Sequence, residues 1–414
     1  MAAEIKPMTC AASSQKTLTS EKPNLLSKID SPGHEVFGVH ILSQGRSILS
    51  ISDDRSVRIW QQRANGQFWP SVCHYLSSPP TSLHYTASSR TLIIGLHNGT
   101  VMEFEVAPDE NSLNHLRDYL SHQGRVTGVL FSGSHSWILS ISRDKFFSFH
   151  STTTGHRLGG YECGGWCSSM EFDAPTSHVF VGDYTGVITM LKLDAGSCTL
   201  VTTLRGHTSC VSGLAWDGAA QQLFSGSHDH SVMVWDVGGG KGAAYELQGH
   251  TGKVRGLKHC SERRVLVSGG EDGMLVWWDM ACSRLVTPEW SESDNCQYCG
   301  RPFFWNVKAM INQKQLGLRQ HHCRKCGKAV CDSCSSRRTN IPAMGFEFNV
   351  RVCERCYETI SDQENVASKE SLAVFHEAKH PVTAMAVDLE CGSLVTVGTD
   401  NVIKIWDVKP LLNN

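Results

Sequence analysis

A repeated segment constrains the fold of this chain more than any other feature of its sequence. His207 and Trp235 are separated by 28 positions, as are His250 and Trp278, and in each copy Gly-His opens the segment and Trp-Asp closes it. The residues that close successive copies are Trp60, Phe104, His150, Leu191, Trp235, Trp278 and Trp406. Their spacings are 44, 46, 41, 44 and 43 residues, and the last copy then closes 128 residues further on. A recurring unit of this size buries its hydrophobic face against neighbouring copies.

The period and the dipeptides resemble those of WD repeats, which implies an all-β fold, a β-propeller of four-stranded antiparallel blades. Seven closing positions predict seven blades. Residues 24–29 lack a partner in their own repeat, and we predict that they pair with the last blade and close the ring. The final spacing exceeds one repeat by about 85 residues, which predicts a second domain inserted between blades six and seven.

His, Ser or Thr, Asp and Trp recur in the clearest repeats, with the last three at fixed offsets from one another. These sets are His207, Ser225, Asp229 and Trp235; His250, Ser268, Asp272 and Trp278; and His380, Thr396, Asp400 and Trp406. A Ser-His-Asp set could indicate a hydrolase, but this set recurs blade after blade and no nucleophile elbow accompanies it. By resemblance to WD repeats, the sets form a structural hydrogen-bond network inside each blade, and no catalytic residue is predicted.

Eight cysteines dominate the segment that interrupts the repeats. They form four Cys-x-x-Cys pairs within 61 residues: Cys296 and Cys299, Cys323 and Cys326, Cys331 and Cys334, Cys353 and Cys356. Eight thiolates complete two tetrahedral shells. Four disulfides are the alternative, but the N-terminus has no apolar signal segment and no stretch approaches 18 apolar residues, which favours a cytosolic chain with reduced thiols. We therefore predict two structural zinc ions and no open metal site.

The residues around the cysteines identify a family resemblance. RQHHCRKCG spans Arg319–Gly327, RVC spans Arg351–Cys353, and Trp290 and Asp294 lie upstream. Residues 290–358 resemble a FYVE domain, which binds phosphatidylinositol 3-phosphate on endosomal membranes. The resemblance implies that the first and third pairs bind one zinc and that the second and fourth bind the other. It also implies headgroup contacts from Asp294, Arg319, His321, His322, Arg324 and Arg351, and membrane insertion by Leu316, Gly317 and Leu318.

The sequence departs from the FYVE pattern at two points. Gln320 stands where the family usually has a second Arg, and Trp290 and Asp294 are one residue further apart than usual, which makes Ser293 an alternative to Asp294. The loop before the second pair is also long. Its residues Phe303, Phe304, Trp305, Met310 and Ile311 either pack over the first zinc or widen the membrane contact.

Charge is consistent with an anionic partner for this segment. Residues 296–356 contain eleven Lys and Arg against three acids, in a chain of net charge −2. Such a local excess of positive charge favours a phosphorylated lipid surface or a nucleic acid. Arg side chains held near a zinc shell have guanidinium groups partly positioned for bidentate phosphate contacts.

The whole chain resembles the WD-repeat and FYVE domain-containing proteins. We predict a tail over residues 1–22, propeller blades one to six over 23–287, a finger over 288–360, a linker over 361–372 and the seventh blade over 373–410.

The predicted function is a non-enzymatic adaptor that binds phosphatidylinositol 3-phosphate on the cytosolic face of early endosomes, while its propeller binds an unidentified protein. A homodimer would add avidity. The alternatives are a RING-like ubiquitin-ligase scaffold, although a RING usually includes His ligands, and nucleic-acid binding, which is the weaker of the two.

Overall fold

The computed structural model describes residues 21–31, 33–42, 46–239, 242–282, 284–286, 288–362 and 371–412. The tail predicted over residues 1–22 therefore lies outside the described residues except for its last two positions. Residues 363–370 of the predicted linker also lie outside them. Among the regular elements of the described chain, β-strands predominate, and the helices are few and short.

Seven antiparallel sheets form the propeller, and each sheet is one blade. The first strand of the chain is β1 (Asn24–Asp30). Blade one contains β2 (Val36–Leu42), β3 (Ser47–Ser52), β4 (Ser56–Gln62) and β5 (Phe68–Tyr75); blade two contains β6 (Pro80–Thr86), β7 (Thr91–Leu96), β8 (Thr100–Val106) and β9 (Leu113–Leu120). Blade three contains β10 (Val126–Ser132), β11 (Trp137–Ser142), β12 (Phe146–Ser151) and β13 (Arg157–Glu162); blade four contains β14 (Cys167–Asp173), β15 (His178–Asp183), β16 (Val187–Asp194) and β17 (Ser197–Arg205).

The last three blades include the interruption. Blade five contains β18 (Val211–Asp217), β19 (Gln222–Ser227), β20 (Ser231–Asp236) and β21 (Gly242–Gln248). Blade six contains β22 (Val254–Cys260), β23 (Val265–Gly270), β24 (Met274–Asp279) and β29 (Ala373–Glu377); blade seven contains β30 (Val382–Asp388), β31 (Ser393–Gly398), β32 (Val402–Asp407) and, at its edge, β1. A short helix, α3 (Lys409–Leu412), follows β32.

The finger domain, residues 288–362, lies between β24 and β29. Its elements are α1 (Val307–Gln313), β25 (His321–His322), β26 (Ala329–Val330), β27 (Arg338–Ile341), β28 (Phe346–Arg351) and α2 (Glu354–Asp362), with single 3-10 turns at Ser333–Ser335 and Pro342–Met344. Strand β28 joins the outer edge of blade five beside β21, and β27 extends that sheet further. The finger is therefore attached to the propeller by backbone pairing as well as by its two connections.

Ring closure is as predicted, but the site of insertion is not. Strand β1 pairs antiparallel with β32, and Leu25 lies opposite Trp406. The segment Ala373–Glu377, however, which was assigned to the seventh blade, pairs with β24 as the outermost strand of blade six. The finger thus interrupts blade six between its third and fourth strands. The interruption is accommodated there because the outermost strand pairs with only one neighbour within its blade and can be supplied after a long excursion.

Hydrophobic side chains hold neighbouring blades together. Strands β3, β7, β11 and β23 are buried at every position, as expected for β-branched and aliphatic strands covered on both faces. The propeller core consists of seven clusters, and each cluster draws residues from two adjacent blades. An eighth cluster lies within the finger. Stability of the ring therefore depends on the interfaces between blades.

The predicted networks form in all three of the clearest blades. His207 Nε2 lies 2.7 Å from Ser225 Oγ, its Nδ1 lies 2.9 Å from Asp229 Oδ2, and Trp235 Nε1 donates to Ser225 at 2.7 Å. The same contacts join the other two sets at 2.8–3.2 Å and 2.9–3.2 Å. The Ser225 hydroxyl is fully buried beneath the Trp ring and cannot meet a substrate. These sets connect strands within a blade.

Hydrogen bonding within the networks also determines whether their Asp side chains are ionised. Burial favours the protonated carboxyl of Asp272, but hydrogen bonding and the charge of His250 outweigh burial and lower its pKa to about 2. A fourth network, which the sequence analysis missed, joins His122 to Ser140 at 2.9 Å and to Asp144 at 3.1 Å in blade three. Its sequence offsets match those of the His207 set, so the signal was present in the sequence.

Two partly exposed histidines lie near the centre of the ring, where the first strands of the blades contact one another. His40 lies on β2 and His84 at the equivalent position of β6. Burial and the positive charge of Lys258 lower the pKa of His40 to about 4, against the weaker effect of Asp388. Burial, His40 and Lys258 lower the pKa of His84 to about 4. The folded protein therefore accommodates these rings in their neutral form.

Acid is expected to destabilise the propeller through these histidines. Their unfolded pKa is about 6.5, so the stability from keeping them neutral is fully present above pH 6.5 and is lost as pH falls towards 4. The loss approaches about 3 kcal/mol for each ring. Thermal melts at pH 7.5 and 5.0 should show a smaller pH effect in His84→Gln than in the parent, whereas His97→Gln, at an exposed position, should match the parent. Equal pH effects in all three proteins would contradict this assignment.

Candidate functional site

The eight cysteines of the finger form two separate clusters. Cys296, Cys299, Cys331 and Cys334 make up one, and Cys323, Cys326, Cys353 and Cys356 make up the other. The four sulfurs of each cluster lie within 4.8 Å of one another. The first and third pairs thus come together, as do the second and fourth, which is the interleaved arrangement implied by the family resemblance.

A tight turn within each Cys-x-x-Cys pair brings both of its sulfurs into the same cluster. Gly327 N–H donates to the carbonyl of Cys323 at 2.8 Å, and Gly327 has a φ of +72°. A Cβ at Gly327 would lie 2.2 Å from the carbonyl oxygen of Glu289, so this position requires glycine. Backbone amides also point at the sulfurs, since Cys331 N–H donates to Cys296 Sγ at 3.3 Å.

The donor set fits zinc. Four sulfurs at tetrahedral spacing, with no place left for water, are the ligands of a structural zinc site. Burial raises the pKa of Cys326 to about 11, whereas burial of Cys331 is outweighed by hydrogen bonds, which lower its pKa to about 7, and a bound cation would favour the thiolate form of every ligand. The clusters therefore fit two structural zinc ions, which would hold the finger folded.

A basic cavity of about 260 Å³ adjoins the second cysteine cluster. It is lined by Gln248, His321, His322, Arg324, Val350 and Arg351. The two histidines form β25, and Arg351 ends β28, so the finger's two small sheets bring these side chains together. A larger cavity of about 530 Å³ elsewhere on the finger contains Arg337, but that guanidinium is paired with Glu354 at 3.2 Å.

Stacking on Trp290 positions two side chains of this basic cavity. The Arg324 guanidinium lies over Trp290, 4.6 Å from the ring centroid, and Trp290 stacks on His322 with centroids 4.7 Å apart. His322 Nε2 lies 3.2 Å from the carbonyl oxygen of Ser291. Because that oxygen can only accept, His322 Nε2 carries the proton and its Nδ1 is left for a ligand. Trp290 thus positions two of the predicted headgroup residues.

An acidic residue that the sequence analysis overlooked also contacts the cavity. Arg351 Nη1 donates to Asp332 Oδ1 at 2.7 Å and to the carbonyl of Ser335 at 2.9 Å. The hydrogen bond and charge of Arg351 lower the pKa of Asp332, which therefore stays ionised. Burial and the charge of Arg351 lower the pKa of His321, although Asp332, 3.9 Å away, opposes this. No spacing rule marks Asp332, because it lies between two ligand cysteines like any loop residue.

Two of the predicted headgroup residues lie away from the basic cavity. Arg319 is exposed and is not among the lining residues, although its charge is felt at His321. Asp294 Oδ1 accepts a hydrogen bond from Trp305 Nε1 at 3.0 Å, and the alternative, Ser293, bonds to the carbonyl of Asn295. The long loop therefore supplies a partner for Asp294 within the finger.

The predicted insertion tip is only partly exposed. Leu316 is 86 % exposed, but Gly317 is buried against Phe304 and Met310, and Leu318 packs on the finger core. Leu318 forms one parallel bridge with Phe303, and its partly buried side chain packs against the hydrophobic cluster of the finger. Of the three residues predicted to insert, Leu316 is therefore the exposed one, and insertion by Gly317 and Leu318 stays a prediction.

Other residues of the long loop extend the apolar surface. Phe304, Trp305, Val307 and Ile311 are more than half exposed, whereas Phe303 is buried beside Cys296. Phe303 thus packs beside the first cluster, and Trp305 contacts its ring with centroids 5.3 Å apart. Among the described residues, no helix is both long and apolar enough to cross a bilayer.

Comparison with known proteins agrees with both parts of the fold. The family model "FYVE zinc finger" matches residues 288–362, and "WD domain, G-beta repeat" matches residues 25–61, 198–236, 243–279 and 369–407. The human WD repeat and FYVE domain-containing protein 2 is 51 % identical over 100 % of both chains. The chain belongs to the WD repeat and FYVE domain-containing proteins. Human WD repeat and FYVE domain-containing protein 1 is 49 % identical over 95 % of both chains.

Membership of this family agrees with the two cysteine clusters and the propeller described above. A shorter segment of the chain is 36 % identical over 78 residues to the vacuolar protein sorting-associated protein 27 of Debaryomyces hansenii, which is 19 % of this chain and 9 % of that protein. The matched family models describe a zinc finger and a propeller repeat, and neither names an enzyme. These relationships suggest an adaptor-type protein connected with endosomal membranes.

Proposed function

We propose that this chain is a non-enzymatic adaptor that binds phosphatidylinositol 3-phosphate on early endosomes and presents a protein partner on its propeller. The observation that carries the proposal is the basic cavity, in which His321, His322, Arg324 and Arg351 converge. Asp332 is the one acid that contacts these residues in the described structure, and it is already paired with Arg351. A dianionic phosphate suits the guanidinium donors of Arg324 and Arg351.

Three of the cavity residues have a defined chemical role in this proposal. The guanidinium of Arg324 donates a forked pair of hydrogen bonds to the phosphate, and its stacking on Trp290 reduces the entropy lost on binding. Arg351 uses Nη1 for Asp332 and Ser335, which leaves Nη2 for the phosphate. His322 Nδ1 accepts from an inositol hydroxyl. Bound zinc supplies structure here and no reactive chemistry.

Apolar insertion provides the second part of the membrane contact. A single weak contact does not anchor a protein stably, so headgroup binding and insertion act together. Burial of Leu316 in the acyl region contributes about 1.5–3 kcal/mol, and Ile311 and Phe304 enlarge the surface available. We expect the arrangement to hold the propeller at the membrane, where the rim of the ring remains free for a protein.

Lipid binding should depend on Arg324 and on Leu316. With the full zinc-loaded chain and liposomes that carry one mono-phosphorylated phosphoinositide each, we expect selective binding to the 3-phosphate. Arg324→Ala should weaken this binding by about 10-fold or more, because it removes charge-assisted hydrogen bonds. Leu316→Ala should weaken binding of the same liposomes by about 10-fold through lost insertion. Co-sedimentation measures both effects.

Arg355→Ala is the matched control for charge. Arg355 is exposed on α2 and is not among the residues that line the basic cavity, so its loss removes the same charge from the finger without touching the site. Binding in this variant should stay within about 2-fold of the parent, because exposed charges contribute little. Equal binding to every anionic liposome, or none to any, would refute the proposed lipid recognition and return the RING-like and nucleic-acid alternatives to consideration.

A further inference from the structure

The finger is docked on the propeller next to the basic cavity. Gln248, the last residue of β21, donates its backbone N–H to the carbonyl of Gly345 at 2.9 Å and lies opposite Phe346 in a parallel pair. Leu285 N–H donates to the carbonyl of Ala343 at 2.7 Å. These contacts fix the start of β28, the strand that ends at Arg351 in the cavity.

The glycine at this junction allows the close approach. Gly345 has a φ of +86°, and a Cβ there would lie 2.2 Å from the carbonyl oxygen of Glu246. Phe346 beside it is fully buried, and Phe348 packs against Phe375 of blade six with ring centroids 5.9 Å apart. The contact therefore combines backbone pairing with two aromatic side chains.

The side chain of Gln248 belongs to the propeller, yet it lines the basic cavity of the finger. It is partly exposed there beside His321, His322, Arg324 and Arg351. Its Nε2 donates to Glu246 Oε1 at 2.7 Å. A carboxamide has two N–H donors and a carbonyl acceptor, so Glu246 orients the group while one N–H and the carbonyl remain for a ligand.

We propose that Gln248 is a headgroup contact and that the phosphoinositide site is built jointly by the propeller and the finger. This inference rests on the function proposed above and specifies its ligand contacts. The four finger residues supply positive charge and imidazole nitrogens, and Gln248 supplies a neutral donor and acceptor suited to a phosphate oxygen or a ring hydroxyl. Docking of the finger then completes the site, and it sets the orientation of the propeller relative to the membrane.

Substitution of Gln248 in the full chain tests the contact. Gln248→Ala removes the carboxamide without adding charge and should weaken binding of phosphatidylcholine vesicles containing phosphatidylinositol 3-phosphate by about 3- to 10-fold. Gln248→Glu places a negative charge in the cavity and should weaken this binding by at least about 10-fold. Gln123→Glu, at an exposed position of the propeller, is the control for charge and should bind like the parent.

A soluble ligand separates the cavity from the membrane surface. Calorimetry with inositol 1,3-bisphosphate should show the same order of affinities, because this compound carries the headgroup without a bilayer. Gly345→Val prevents the close approach to Glu246 and should weaken binding of both ligands while the protein retains two zinc ions per chain. That variant tests the docked arrangement without altering any side chain of the basic cavity.

The outcomes distinguish this inference from the proposed function. In one outcome, Arg324→Ala loses lipid binding, whereas Gln248→Ala, Gln248→Glu and Gly345→Val bind the lipid like the parent. This result overturns the joint site and leaves the lipid function intact. No selective binding by the parent overturns both. Weaker binding of vesicles and of soluble headgroup in the Gln248 variants, with the parent's affinity in Gln123→Glu, supports the joint site.

Discussion

Removal of zinc is expected to unfold the finger and abolish its lipid binding, while the propeller stays folded. Each structural zinc contributes about 10–16 kcal/mol of apparent binding free energy, which is more than a domain of this size gains from its own hydrophobic core. The finger core contains the ligands Cys296, Cys323, Cys331 and Cys353 as buried members. The seven clusters of the propeller include none of the eight ligands, so they do not depend on the metal.

A chelator titration measures this effect. A chromogenic indicator should report two zinc ions released per chain, circular dichroism should retain the β-sheet signal of the propeller, and binding to phosphatidylinositol 3-phosphate should be lost. Cys331→Ser should reproduce the loss of binding, whereas Cys73→Ser, at an exposed propeller position, should behave as the parent. Two results would contradict this prediction. The metal-free protein could still bind the lipid, or its propeller could unfold together with the finger when zinc is removed.

Truncation of Trp278 is expected to give the largest loss of stability of any single propeller substitution discussed here. The Trp278 ring is fully buried in the cluster that joins blades five and six, and its Nε1 donates to Ser268 at 2.9 Å. Trp278→Ala leaves a large cavity between blades and removes a donor from the His250 network. We expect a loss of about 3–5 kcal/mol in the free energy of unfolding.

Urea unfolding followed by circular dichroism measures this loss. Trp278→Phe should recover most of the packing and cost about 1–3 kcal/mol, because the hydroxyl of Ser268 then lacks its Trp donor. Trp166→Ala removes an indole that is half exposed and should cost about 1 kcal/mol or less. If Trp278→Ala and Trp166→Ala unfold at the same urea concentration, packing between blades five and six is not the main source of stability.

The arrangement of the finger also explains how an exposed sheet edge is covered. The outer strand of a propeller blade presents unpaired backbone groups that can pair with another chain. In blade five, β28 occupies part of this edge beside β21, and β27 continues the sheet. One insertion therefore protects an edge and positions the basic cavity against the propeller.

The architecture and the metal sites could be predicted from the amino-acid sequence. The repeat spacing fixed the number of blades because each copy contains its own turn and closing residue, and Cys-x-x-Cys spacing fixed two closed shells because two-residue turns bring sulfurs together. The networks of His207, His250 and His380 were also predictable from their offsets. The same offsets in His122, Ser140 and Asp144 marked a fourth network that the analysis passed over.

Only the tertiary structure decided how the two domains share a sheet edge and a cavity. Ala373–Glu377 completes blade six rather than blade seven, because the pairing of an outermost strand is a long-range choice that a short unmarked segment does not encode. Gln248 is an ordinary polar residue at the end of a strand until docking of the finger brings it to Arg324 and Arg351. Leu318 packs against the hydrophobic cluster of the finger, a contact with distant residues that its place in a short apolar segment does not reveal. Local patterns specify local structure, whereas contacts between distant segments depend on the packing of the whole chain.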